Sequence, residues 1–314
     1  MLPDINIEYF MTREPYSRPT IALVLWLSIF VLMTAAAFGR QKESAQNDLP
    51  PVYLNHISIC VDQQTYDDIG KSDFIQNQFA GFSRSTTVSN GGETWTGTYI
   101  RGRNTYIEFF APSGDSRIGD AGIGLGVEEE GGINIVYSAL MKMSGGRVRK
   151  DLRTKKIDGR DIPWFYDIGI DDADESADFV CWVMEYHRDY MKNLYPEAGA
   201  GENGITRSQV LSHAFKNDRY FEDIEEATLA LSGPEADRFV DELRSFGYKI
   251  IQHDGRRECI GPDIKFTVIP RTSSEGGITN LRLSLLKPVE GQNVLTFGPK
   301  SILKIAGKHA VWTF

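Results

Sequence analysis

Two side chains in the first half of the chain have the types and spacing for chemistry. His56 lies in the alternating segment Leu54-Asn55-His56-Ile57-Ser58-Ile59-Cys60-Val61, and Glu108 lies 52 residues later in Thr105-Tyr106-Ile107-Glu108-Phe109-Phe110. Alternation is the strand period, so His56, Ser58 and Cys60 share one face, and Tyr106, Glu108 and Phe110 share another. An imidazole and a carboxylate turned to the inside of one curved sheet are costly as solitary buried groups. They make sense around a metal ion or a polar ligand. The competing reading is a set of buried polar groups satisfied by one another and by arginine, with Arg101 or Arg103 placed to pair with Glu108.

Positioning these two residues takes a strand, a helix and a run of strands, an order that occurs three times. In the first copy, 54–61 leads into an amphipathic helix over 65–79, strands over 82–89 and 94–101 joined by a turn at Asn90-Gly91-Gly92, and the Glu108 strand. In the second, the glycine-rich strand Gly122-Ile123-Gly124-Leu125-Gly126-Val127 precedes a helix over 133–143 and strands over 148–157, 162–170 and 179–187. The third has a strand over 227–231 and a helix over 234–246 with Pro234 in its first turn and Gly247 at its end. Strands over 248–253, 264–269 and 278–286 follow, and Ala310-Val311-Trp312-Thr313-Phe314 reads as a final buried strand. The pattern predicts an α+β protein of repeated βαβββ units, the third degenerate, with Thr228 in the place of His56 and Arg282 or Ser284 in the place of Glu108. The third unit is expected to pack on the other two or to pair with its equivalent in a homodimer.

Composition narrows the function classes. The net charge is -9 with Lys and Arg scattered, which excludes a nucleic-acid surface built on a basic stripe. Cys60, Cys181 and Cys259 are too few and too far apart for a disulfide framework or a structural zinc site, and buried free thiols are expected. There is no nucleophile elbow, His-Glu-x-x-His run or phosphate loop. Residues 21–38 form an uncharged apolar run of 18 residues preceded by Arg13 and Arg18, with Ala35, Ala37 and Gly39 offering a signal-peptidase site. Either a cleaved signal peptide or a retained anchor is expected, and both put the rest of the chain outside the cytoplasm, secreted or periplasmic or anchored. Only this segment is expected to touch a membrane. The expected organisation is 1–39 signal or anchor, 40–51 linker, 52–190 paired units, 191–221 connecting segment and 222–314 third unit with the final strand.

The order of elements, with histidine on a first strand and glutamate on a last one, resembles the vicinal oxygen chelate superfamily, which includes glyoxalase I, extradiol dioxygenases and antibiotic-resistance proteins. The motifs Leu54-Asn55-His56, Trp95-Thr96-Gly97, Asn104-Thr105-Tyr106-Ile107-Glu108, Pro163-Trp164-Phe165 and Trp182-Val183-Met184-Glu185-Tyr186-His187 look like an uncharacterised bacterial family of glyoxalase-like proteins. The resemblance implies that two units pair into a half-open barrel around a divalent metal (Mn, Fe, Ni or Zn) held by the first and last strand of each unit. Carried over, the ligand positions match His56 and Glu108 in the first unit and Glu185 in the second, while the fourth falls on Gly122, which has no side chain. His187, about 7 Å beyond Glu185 on the same strand face, could replace the missing ligand or act as a base at the mouth of the site. Its plainer reading is a surface or hydrogen-bonded residue.

Trp95, Tyr99, Tyr106, Phe110, Trp164 and Tyr166 would line or flank the cavity or simply fill core. Gly122, Gly124 and Gly126 would let a ligand approach the backbone. Three functions follow from the resemblance. One is a metal-dependent lyase, isomerase or ring-opening oxygenase in which Glu108 or Glu185 shuttles a proton to or from a small chelating substrate. The extradiol type is disfavoured, because it needs two histidines. The second is a protein that sequesters a small molecule, and the third an interaction module without a small-molecule site.

Overall fold

Apolar residues at every second position carry β1 (Val52–Cys60) and β4 (Tyr106–Phe110), and their pairing is parallel, with His56 beside Tyr106 and Ser58 beside Glu108. In this computed structural model residues 49–314 are described, apart from 90–93, 115, 172–177, 200 and 273–275. The apolar run 21–38 and the turn at Asn90-Gly91-Gly92 lie outside the described residues. Among those described, no helix is long and apolar enough to cross a membrane, and the three cysteines are free.

The first unit is β1, α1 (Gln63–Lys71), a π-helical turn (Ile75–Phe79), β2 (Gly81–Val88), β3 (Thr94–Arg101) and β4. The single helix expected over 65–79 is broken at Ser72, whose backbone is extended and whose N–H bonds back to Ile69. The second unit is β5 (Ala121–Val127), α2 (Gly132–Ser144), β6 (Val148–Ile157), β7 (Arg160–Ile170) and β8 (Phe179–Tyr186). β5 and β8 pair in parallel as β1 and β4 do, and β1 meets β5 antiparallel. The result is one eight-stranded sheet in the order β2-β3-β4-β1-β5-β8-β7-β6, two βαβββ units joined edge to edge. Its period-2 faces separate cleanly. Ile57, Ile59, Ile107 and Phe109 are buried in the core, while His56, Ser58, Tyr106 and Glu108 turn to the opposite side.

After α3 (Arg188–Leu194) and α4 (Arg207–Leu211) comes the third unit: β9 (Phe221–Leu231), α5 (Gly233–Ser245), β10 (Lys249–His253), β11 (Arg256–Ile260) and β12 (Lys265–Pro270). The sequence pattern missed β11, and this changes the unit's reading. Its closing strand is β12, which pairs in parallel with β9, so Arg282 and Ser284 do not stand where Glu108 stands. They belong to β13 (Gly277–Phe297), which runs antiparallel to β9 and turns into β14 (Ser301–Thr313). The second sheet, β10-β11-β12-β9-β13-β14, thus repeats the strand order of the first for four strands and ends in a hairpin. The third unit packs on the other two within the chain. Phe239 of α5 meets Phe179 at 5.0 Å between ring centroids, and the fully buried Trp312 of β14 lies 5.1 Å from Phe109 and 6.3 Å from Phe79. One continuous apolar core results.

Candidate functional site

The open side of the eight-stranded sheet encloses a cavity of about 500 Å³, and His56 and Glu108 both line it. His56 gets there through a β-bulge. Between Leu54 and His56 the β1–β5 register slips, leaving Asn55 as an extra residue. Such an insertion re-aims neighbouring side chains. Asn55 and His56 are both buried, and His56 Nδ1 bonds to Asn55 Oδ1 at 2.9 Å. An amide oxygen can only accept, so Nδ1 donates and Nε2 keeps its lone pair. The ring stacks on Tyr106 at 4.5 Å with 7° between planes and meets the edge of Trp182 at 5.2 Å. Burial pushes its pKa down to about 3, so the imidazole is neutral at physiological pH.

The glycines of β5 explain why the ring fits. A Cβ on Gly124 would sit 2.3 Å from His56 Cε1 and 2.6 Å from Nδ1. The space that the sequence seemed to offer a ligand is filled by the protein's own histidine. Gly124→Ala is expected to force the ring off Tyr106 and to cost about 1–3 kcal/mol, as overpacking does. Gly126→Ala places its Cβ at an ordinary 3.6 Å from Asn55 and is the control. Urea denaturation of both variants checks this, and equal stabilities would refute it.

Glu108 faces Tyr99 across the β3–β4 ladder. Its buried carboxyl accepts hydrogen bonds from Tyr99 and Trp95, and Gly97 between them leaves room, since a Cβ there would lie 3.0 Å from Glu108 Oε1. Burial pushes its pKa up to about 7 against the pull of Tyr99, Arg101, Trp95 and Lys155. Near neutral pH this group can therefore donate or accept a proton, a property that clusters at functional sites. Arg101 rests over the Tyr99 ring at 4.7 Å, and Lys155 over Trp164 at 4.9 Å.

Glu185 and His187 do not join this cavity. Strand β8 presents Trp182, Met184 and Tyr186 to it. In the first unit Ser58 pairs with Glu108, and in the second the matching Gly124 pairs with Trp182. The counterpart of Glu108 is thus Trp182, three residues before Glu185. An odd offset in a strand turns a side chain to the other face. There Glu185 accepts from the backbone N–H of Gly131 at 2.8 Å and of Ile133 at 2.9 Å. It serves the start of α2, whose cap residue Gly131 has no side chain to offer, and a carboxylate is favoured at that end of a helix. His187 caps α3, with Nδ1 accepting from Asp189 N–H at 3.1 Å, and lines a separate depression with Glu185 and Tyr166.

The metal centre implied by the resemblance does not fit these residues. Two of its positions, His56 and Glu108, share the cavity. The third carboxylate is engaged at a helix start, and Gly122 offers nothing, its place being closed by Ser58 Oγ at 2.5 Å from where a Cβ would lie. Among the described residues no group of three His, Cys, Asp or Glu side chains is arranged to hold a metal ion.

The structure also brings in residues that the sequence pattern did not single out. The segment between the second and third units is a wall of the site: Tyr190 stacks on Tyr186 and lies tilted to Trp164, Tyr195 meets Tyr190 edge-on, and His213 stacks on Tyr195 and bonds its hydroxyl at 3.0 Å. Strand β6 supplies Arg149, Arg153 and Lys155, and the even spacing of these basic residues was the available signal. Arg149 and Arg153 both pair with the buried Asp167. Five of the six aromatic residues expected at the cavity line it; Tyr166 faces the other depression.

Comparison with solved structures finds distant likenesses. A hypothetical protein from Staphylococcus aureus is 11% identical, covering 78% of this chain and 95% of its own, with a TM-score of 0.48. A xylose isomerase-like TIM barrel/4-hydroxyphenylpyruvate dioxygenase fusion protein is 10% identical over 74% of this chain and 36% of its own, with a TM-score of 0.42. An extradiol ring-cleaving dioxygenase from B. fuscum is 9% identical over 76% of this chain and 56% of its own, with a TM-score of 0.36. The strand order and register described above, rather than these likenesses, establish the glyoxalase-like α+β fold. No curated protein matches the chain. A family model does match it, over residues 54–314 and so over both sheets, and the chain belongs to that family of unknown function (DUF5829).

Proposed function

We propose that this protein binds a small organic molecule in the half-barrel cavity and holds it there without the four-ligand metal centre of the resemblance. The observation that carries the reading is the cavity itself: about 500 Å³, walled by five tyrosines and three tryptophans and lined also by six charged side chains, Glu108 among them. Concave sites in which aromatic walls surround placed polar groups are where small molecules bind. On the strength of the apolar run 21–38, the binding unit works outside the cytoplasm, released or anchored.

A metal-dependent lyase or isomerase is the second reading. It is favoured by one feature, the lone pair on His56 Nε2 in the same cavity as Glu108. Divalent-ion analysis of protein purified without a histidine tag separates the two. Well under one equivalent is expected, unchanged in His56→Ala, together with thermal stabilisation by small organic ligands. Near-stoichiometric metal that disappears in His56→Ala would overturn the binding reading in favour of the metal enzyme.

A further inference from the structure

We infer that the ligand of this cavity is an organic anion carrying a flat conjugated ring, its charged group seated between Arg101 and Lys155. The inference rests on the binding reading above and names the class of molecule bound.

The charge distribution supports it. Six charged side chains line the cavity. Arg149 and Arg153 are drawn to Asp167, which sits between them across the β6–β7 ladder. Arg101 and Lys155 are left with Glu108. Neither has an ion-pair partner within 4 Å among the described residues: Arg101 donates to Ser83 Oγ at 2.6 Å, and both rest on aromatic faces. The two cations act on Glu108 and on each other, so they occupy one corner of the cavity. Two cations facing one buried carboxyl leave a positive surplus of at least one. The chain as a whole carries -9, so this concentration of positive charge runs against the protein's overall sign. Both side chains are half-buried, and a partly desolvated cation without a counter-charge gains when an anion arrives. An anionic ligand supplies it, and Arg101 adds planar donors suited to a carboxylate.

The walls describe the rest of the molecule. Tyr186 and Tyr190 stack with 19° between planes at 6.1 Å, and Trp164 lies 6.0 Å from Tyr190. Flat rings set side by side bury a flat partner with little rotamer entropy lost. An aliphatic chain would gain less from such walls.

The test uses the folded chain with 2-naphthoate and its neutral amide, 2-naphthamide, titrated calorimetrically at low and moderate salt. The naphthoate is expected to bind at least tenfold more tightly than the amide, with the preference shrinking as salt is raised. In Lys155→Met and Arg101→Met the preference should fall to about twofold or less. Lys155 lies on the edge strand β6, and a circular dichroism spectrum and thermal transition like those of wild type report that a variant is folded. If both compounds bind wild type equally, the cavity is a binding site and the anion inference fails. Binding of neither overturns the inference and the binding reading together. A preference that survives both substitutions overturns the seat assigned to Arg101 and Lys155.

Discussion

Replacing Arg207 with methionine is expected to destabilise the protein by about 3–5 kcal/mol, the cost of removing one partner from a buried charge network. The guanidinium of this nearly buried residue on α4 joins three parts of the chain. It bonds Glu128 at 2.9 Å, just beyond β5, and Asp263 of the third unit at 2.5 Å. It also donates to the carbonyl of Leu54 in β1, and it lies 4.5 Å over the Tyr53 ring. Asp263 in turn accepts from Leu54 N–H at 3.1 Å. Burial already holds the Asp263 carboxyl above its usual pKa despite the arginine. Without Arg207, Glu128 and Asp263 would both lose the guanidinium they now share. The substitution bears on function because Leu54 directly precedes Asn55 and His56, so the same network fixes the bulge that aims the imidazole. Arg207→Lys should recover part of the loss, since it restores the charge and not the fork of donors. Urea unfolding of the three proteins measures this, and a loss below about 1 kcal/mol for the methionine variant would show that the network is not a junction.

The second large effect is a change in pH dependence. Glu108 is raised to about 7 in the folded protein, from an ordinary value of 4.5. Between these values the folded state holds a proton that the unfolded chain has released, so this group's contribution to stability is present at low pH and lost as pH rises through 7. The swing amounts to on the order of 3 kcal/mol. Glu108→Gln keeps the shape and removes the titration. The stability of the variant relative to wild type should therefore rise by about that amount between pH 4 and pH 8. The groups that face Glu108 are Tyr99, Trp95 and Arg101 from β3, His56 from β1, Tyr106 from β4 and Lys155 from β6. Of these His56 also titrates in the acid range, and in the opposite sense. It stays neutral in the fold down to about 3, while the unfolded chain takes up a proton below about 6.5, so it removes stability as pH falls. That term is common to both proteins and cancels in the difference. Parallel stability curves for wild type and Glu108→Gln across this range would mean that Glu108 is solvated and ionised like a surface carboxylate. If the anion inference holds, wild type should also bind naphthoate less tightly as pH passes 7, because ionised Glu108 then competes for Arg101 and Lys155.

The sequence by itself determined the strands of the first two units, and with them the shared orientation of His56 and Glu108. The reason is local: alternation fixes which face a side chain takes, and both residues lie in strongly alternating segments that the repeated unit places side by side. It also located the β5 glycines as special, although it assigned the cleared space to a ligand when His56 itself occupies the space at Gly124. The phase of β8 was not legible. Matching Val183-Met184-Glu185 to Tyr106-Ile107-Glu108 is a similarity of letters, and register along a sheet is set by backbone pairing with β5, which a one-residue difference inverts. The third unit failed for a related reason: β11 is a short strand of mixed polarity, and missing it shifted the closing strand by one. The aromatic wall formed by the connecting segment was likewise invisible, because its tyrosines approach the cavity only once the chain folds back across the sheet. Local periodicity chose the faces; only the tertiary structure decided that His56, Glu108, Arg101 and Lys155 share a cavity, while Glu185 is used to start a helix.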